Sequence, residues 1–169
     1  MQYPERGGWS VPETIVLERW RRRRSVDGTS FHGFRLPPQV FHAAARCGGC
    51  RFWRAATVED VASVLTALTR EDPHLGFPSA SNLLLLIRHV DEHPGALAAL
   101  LDRHRVRKAS PGVPDLFLYR QLRSGRPCGG LFVEVKKPSE TVYRTQTCEI
   151  KFLRDRGLRA GVLRLIERW

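Results

Sequence analysis

The run Gly112-Val113-Pro114-Asp115-Leu116, followed after a gap by Phe132-Val133-Glu134-Val135-Lys136, sets two carboxylates and an ammonium into β-prone sequence. Side chains two apart on a strand share a face. Glu134 and Lys136 therefore project together, while Val133 and Val135 point the other way, towards a core. A carboxylate and an ammonium in an otherwise apolar strand are costly to bury without partners. Asp115, at the start of the preceding strand, is the natural third member. Two acidic groups can hold a hard divalent cation through oxygen, and a neighbouring lysine can stabilise a developing phosphate anion. This is the chemistry of metal-dependent phosphodiester cleavage. The alternative is an Asp in a turn and a solvated cross-strand Glu/Lys pair. That would explain any one of the residues, but not their order, spacing and flanking sequence together.

The wording around these residues is narrower still. GVPDLFLY, then LFVEVKKPSE, then Gln146 on a following helix, then GLRAGVLRL resemble the PD-(D/E)xK nuclease superfamily. Within it they are similar to the virus-type replication-repair nuclease (VRR-NUC) domain, which includes the nuclease domain of the Fanconi-associated nuclease. The resemblance runs from Gly112 to Leu165. Upstream, Phe52 to Leu68 and Leu97 to Arg107 match only loosely the segment before that domain's first motif.

The resemblance implies an α/β restriction-endonuclease-like core, a small mixed sheet flanked by helices, with an α-helical N-terminal part. It implies that Asp115 and Glu134 ligate Mg²⁺ or Mn²⁺, with the Val135 carbonyl as a further ligand. Lys136 would orient the attacking water or neutralise the transition state, and Gln146 would position the lysine or that water. Pro114 fixes the start of the strand, and Gly112 lets the backbone approach a bulky substrate. Many superfamily members add a glutamate from the first helix. Glu13 and Glu18 are the candidates, and because Glu13 already fits a capping box, the reading leans to Glu18. Lys137 stands where the Fanconi-associated nuclease has Gly, and Tyr143 and Glu149 stand where a small polar residue and an aromatic are favoured around the glutamine. Lys137 and Arg144 are candidate phosphate contacts. The implied function is a metal-dependent deoxyribonuclease acting on branched, flapped or single-stranded DNA in repair or recombination. The rival is a non-catalytic nucleic-acid-binding module of the same fold.

Composition agrees with a polyanionic partner. The net charge is +11, from 28 Lys and Arg against 17 acids, with runs such as Arg21-Arg22-Arg23-Arg24. Neutralised phosphates release counterions, which favours such a surface. At 169 residues and 42% hydrophobic content the chain reads as one globular domain. Its apolar runs are too short to span a bilayer, and residues 1–10 contain no signal-peptide core, so the expected setting is intracellular, nuclear if eukaryotic. Of the four cysteines, Cys47 and Cys50 have the spacing of a zinc half-site, with His42 or His32 nearby. No second pair stands at zinc spacing, so ordinary thiols in a Gly turn are the reading.

The elements that must position the site follow from pattern. A capping box at Ser10-Val11-Pro12-Glu13 opens a helix to Arg24. A loop passes through residues 25–28 to Leu36-Pro37-Pro38, and a short helix spans Gln39 to Arg46. Thr57 and Asp60 cap a helix carrying Val61, Val64, Leu65 and Leu68. Two more helices, Ser81 to Glu92 and Pro94 to Arg105, are separated by His93-Pro94-Gly95, their leucines directed to a core. Strands are expected at Leu116–Tyr119, Leu131–Lys136 and Ala160–Ile166. A helix from Tyr143 to Arg156 lies before the last strand, with Ile150, Leu153 and Cys148 or Phe152 inward and Gly157 as C-cap. The strand-helix-strand return implies a parallel crossover. Residues 1–110 thus form a helical part packed on a core of 111–169, in one compact domain. Because the helices from Ser81 to Leu101 bury themselves, the expected assembly is a monomer or weak dimer.

Overall fold

The computed structural model describes residues 5–6, 9–74, 76–106 and 112–166, with backbone alone for 5, 6 and 9–11. A two-residue antiparallel pair, β1 (Glu5–Arg6) and β2 (Trp9–Ser10), leads into α1 (Val11–Arg21). The strand β3 (Ser30–Arg35) follows. Helices α2 (Val40–Cys47), α3 (Cys50–Ala55), α4 (Val58–Glu71), α5 (Ala80–Asp91) and α6 (Ala96–Arg105) come next. The chain then runs through β4 (Leu116–Gln121), β5 (Pro127–Lys136), α7 (Arg144–Asp155) and β6 (Ala160–Arg164).

The last four strands form a mixed sheet in the order β3-β4-β5-β6, antiparallel twice and then parallel. This is the α/β arrangement of the PD-(D/E)xK core. The sheet is covered on both faces. Phe117, Phe132 and Phe34 face a large core built from α2 to α7, including Trp53, Leu83, Ile87, Leu97, Leu100 and Leu101. Leu116, Leu118, Val133 and Val135 face Val16 and Leu17 of α1. Trp20 locks α1 down, its indole N–H donating to the His32 carbonyl at 2.7 Å and reaching the Tyr119 carbonyl at 3.2 Å.

Local signals account for most of these elements. Thr57 and Asp60 form a reciprocal capping box on α4, and Ser79 Oγ accepts from Asn82 N–H to start α5. The leucines of α5 and α6 are buried as the periodicity requires, except Leu85, which is half-buried. Several elements depart from the sequence reading, the β1–β2 pair among them. Ser30–Arg35, read as loop, is the edge strand pairing all along β4. Its alternation is masked by Gly33 and His32, and Gly33 is there because a Cβ would press on Leu118 and Leu17. The N-terminal part is therefore not purely helical; it completes the sheet. Cys50–Ala55, given no element beyond the Gly turn that ends at Cys50, is the short helix α3, held by burial of Trp53 and its N–H bond to the Ala44 carbonyl. β5 starts at Pro127, four residues early, with a pairing irregularity between Leu118 and Arg120. The Ser10 side chain of the expected capping box and Arg107 lie outside the described residues. No helix among the described residues is long and apolar enough to cross a membrane.

Candidate active site

Leu116 pairs with Val133, so beyond that pair β5 outruns β4. Asp115 stands at this step. Its carbonyl accepts from Leu36 N–H at 2.8 Å, and its Oδ2 accepts from Val135 N–H at 2.8 Å. A side-chain oxygen thus continues the ladder where the strand has ended. Phe132 N–H and the Lys136 carbonyl face the β6 side. By alternation the Val135 carbonyl faces the Asp115 side, the direction a ligand there requires.

Glu134 and Lys136 lie on one face, as their spacing demands, but that face is not solvated. They are 3% and 2% exposed, which removes the solvated cross-strand pair as an explanation. Lys136 Nζ lies 3.4 Å from Glu134 Oε1, 4.0 Å from Glu140 Oε1 and 5.4 Å from the centre of the Tyr143 ring. Glu134 Oε1 also accepts from Gln146 Nε2 at 2.7 Å. Glu134 Oε2 is buried with no hydrogen-bond partner. Burial, and then the charge of Asp115, push the Glu134 carboxyl up to about 8 against the pull of Lys136. Burial also raises Asp115, partly offset by its bond from Val135 N–H. Two acids that resist ionisation side by side are a site short of positive charge.

Gln146 is not the solvent-facing residue that its lone position on a helix allowed, and its hydrogen bond goes to Glu134 rather than to Lys136. Its Oε1 accepts from Tyr143 N–H at 2.9 Å, so one amide caps α7 and holds the carboxylate. Tyr143, a departure from the family wording, supplies both that N–H and the ring facing Lys136. Glu149, the other departure, is 2% exposed. It accepts from Arg103 Nε at 2.8 Å and pairs with His104 Nε2 at 2.7 Å, fixing α7 to the end of α6. Burial would raise its carboxyl, but His104 and Arg103 more than offset that and hold it below the ordinary range. Cys148 is exposed; Glu149 takes the inward position beside Ile150 and Leu153.

Gly112 has a different partner from the expected substrate. Its φ is +99°, and a Cβ there would collide with the Thr145 carbonyl and stand 2.9 Å from Gln146 N. The close approach is to the first turn of α7, directly beside Gln146. Of the two N-terminal glutamates, Glu13 faces Asp115, whereas Glu18 is exposed. Glu13 is turned to the acid pair instead of serving only as a helix-capping residue. Lys137 and Arg144 stand on the rim, half-buried and exposed. Lys137 N–H donates to Glu140 Oε2 at 2.9 Å, and Arg164 Nη1 reaches the carbonyls of Lys137, Pro138 and Glu140.

Sequence reasoning missed Glu140, Arg103 and His104. Glu140 carried one signal, its spacing of four from Lys136. The pairing of α6 with α7 left none. Among the described residues no group of three or more His, Cys, Asp and Glu side chains stands ready to hold a metal ion. Cys47 and Cys50 are half-buried against the helical core, burial pushing the Cys47 thiol up to about 12. His42 Nδ1 is engaged by the His104 carbonyl at 3.0 Å.

Residues 74–165, more than half of the chain, match the VRR-NUC domain family. Among solved structures the chain is similar to one described as paFAN1 bound to 1nt 5′flap DNA with gap, at 18% identity and a TM-score of 0.42. That likeness covers 98% of this chain and 37% of the other, so the chain spans little over a third of its length. No curated protein matches the chain.

Proposed function

The chain belongs to the VRR-NUC domain family, and from that premise we propose that it is a metal-dependent deoxyribonuclease cutting flapped, branched or single-stranded DNA in repair or recombination. The observation that carries the proposal is Glu134 Oε2, buried and without a partner beside the Asp115 carboxylate. An uncompensated acid pair costs several kcal/mol in such a position, of order 1–3 per unsatisfied group, unless a cation completes it. The donors are all hard oxygens, two carboxylates and the Val135 carbonyl, which suits Mg²⁺ or Mn²⁺ and not a thiolate-seeking metal.

The chemistry supplied there by a bound cation is polarisation of the scissile phosphate and activation of water. The remaining work falls to the chain. Lys136, held between Glu134, Glu140 and the Tyr143 ring, offsets negative charge gathering on the phosphate oxygens. Gln146 keeps Glu134 aimed, and Glu13 does the same for Asp115. Lys137 and Arg144 on the rim, with the wider basic surface, bind the backbone without reading sequence.

The test is incubation of the purified chain with flapped, branched and single-stranded DNA in Mg²⁺, Mn²⁺ or EDTA. Cleavage that needs the metal, is abolished by Asp115→Ala and by Glu134→Ala, and falls about a hundredfold with Lys136→Ala is the expected result. DNA binding should survive all three changes. Binding without cleavage of any substrate would establish the non-catalytic module instead.

A further inference from the structure

Lys136 and Arg164 stand opposite each other in the parallel ladder between β5 and β6, so their side chains leave the sheet on one face. Lys136 is buried there, and Arg164 is exposed beside it on the outer strand. Directly after Lys136 the chain turns tightly at residues 137–140. Two bonds close that turn from within. Glu140 N–H donates to the Lys137 carbonyl at 3.2 Å, and Lys137 N–H donates to Glu140 Oε2 at 2.9 Å. Arg164 closes it from outside. Its Nη1 lies 2.9 Å from the Lys137 carbonyl, 3.2 Å from that of Pro138 and 2.6 Å from that of Glu140.

Three main-chain acceptors on one guanidinium nitrogen hold a long side chain that gives up its rotamer freedom to reach them. The turn fixed in this way delivers one functional group to the site. Glu140 Oε1 lies 4.0 Å from Lys136 Nζ. The other carboxylate beside that ammonium, Glu134 Oε1 at 3.4 Å, is already bonded by Gln146. A buried ammonium is costly without an acidic partner. Where Glu134 serves a cation, Glu140 is the acid that stays with Lys136. Its side chain is 42% exposed, so burial does not hold Glu140 in place and the turn does.

We propose that Arg164 is a positioning residue of the active site: by latching the 137–140 turn it sets Glu140 against Lys136 and so fixes that ammonium. The inference rests on the nuclease reading for what Lys136 does. Amide hydrogen exchange in EDTA, on the full chain without DNA, measures the latch apart from cleavage. Arg164→Ala should speed exchange at Lys137 and Glu140 by about tenfold or more. Leu165 N–H, bonded to the Lys136 carbonyl at 2.9 Å, should exchange as in wild type. Unchanged exchange at the turn would overturn the latch. An equal rise at Leu165 would also overturn it, since Arg164 would then hold only the outer strand. In cleavage with Mg²⁺ or Mn²⁺, Arg164→Ala and Glu140→Gln should each lower kcat by about tenfold, with KM little changed. The double variant should lose no more than the worse single one, and losses that multiply would refute the path through Glu140. Arg164→Lys keeps the charge without the guanidinium fork. It should bind DNA in EDTA as wild type does and recover only part of kcat; full recovery would make charge alone the cause and overturn the latch. An inactive protein that passes the exchange test would refute only the nuclease reading. A cutting one that fails it would refute only the latch.

Discussion

Gln146 Nε2 donates to Glu134 Oε1 at 2.7 Å, while Gln146 Oε1 accepts from Tyr143 N–H. The helix start and the catalytic-strand carboxylate are thus set by one side chain. Gln146→Ala should reduce turnover and raise the metal concentration needed for half-maximal cleavage, each by about 10–100-fold, the usual scale for a residue that orients a ligand. Gln146→Glu should be worse, since it adds another acid to a site already short of positive charge. Metal titrations of cleavage check both, with DNA affinity measured in EDTA as the control.

Glu134→Gln separates stability from activity. The wild-type carboxylate is buried, crowded by Asp115 and left with one unpartnered oxygen. A neutral amide of the same shape keeps the bond from Gln146 Nε2 and cannot ionise beside Asp115. The variant should be inactive yet more stable than wild type in EDTA, by about 1–3 kcal/mol, and so melt higher. Mg²⁺ or Mn²⁺ should raise the melting temperature of wild type only. A variant that melts lower in EDTA would show that the pair is not under strain.

The Arg103–Glu149–His104 contact predicts a pH dependence with a definite sign. Glu149's carboxyl is held below its ordinary range in the fold, so the folded state binds fewer protons there than the unfolded chain. Its contribution is present above the unfolded value of about 4.5 and is lost as pH falls through the lower folded one. Glu149→Gln should cost about 3 kcal/mol near neutral pH, roughly 10 °C in melting temperature. The gap to wild type should close as the solution is acidified below pH 4.5. Thermal melts across that range measure it.

Gly112→Ala is expected to act through α7. The left-handed φ of +99° and the Thr145 carbonyl both exclude a Cβ. The cost is of order 1–3 kcal/mol, and because the displaced turn carries Gln146, cleavage should fall by more than DNA binding. Equal loss of both would point to general unfolding, which a far-ultraviolet melt would reveal.

How far the sequence reached is clearest in β5. Alternation alone placed Glu134 and Lys136 on one face and Val133 and Val135 on the other, and the family wording supplied Asp115, Gln146 and the Val135 carbonyl. The face's burial was not readable, because it depends on α7 crossing it, and that crossing is fixed by Glu149 reaching Arg103 and His104 far away in the chain. Such a charged pair between helices has no local period. β3 was missed for the opposite reason. Its short run is too irregular to announce a strand and becomes one only because β4 offers an unpaired edge.

The choice between Glu13 and Glu18 shows the same limit, and it can be tested directly. Both sit on α1, and a capping role gave Glu13 a sufficient local explanation. The structure instead turns Glu13 to Asp115 and leaves Glu18 exposed. Its contact holds the Asp115 carboxyl, whose Oδ2 is already committed to Val135 N–H. Removing it should free Asp115 to rotate without removing either proposed metal ligand. Glu13→Ala should therefore lower kcat by about 10–100-fold, with DNA affinity in EDTA unchanged, and Glu13→Gln should recover part of the loss by keeping the hydrogen bond. Equal activity in Glu13→Ala and wild type at limiting Mg²⁺ would take the first helix out of the active site.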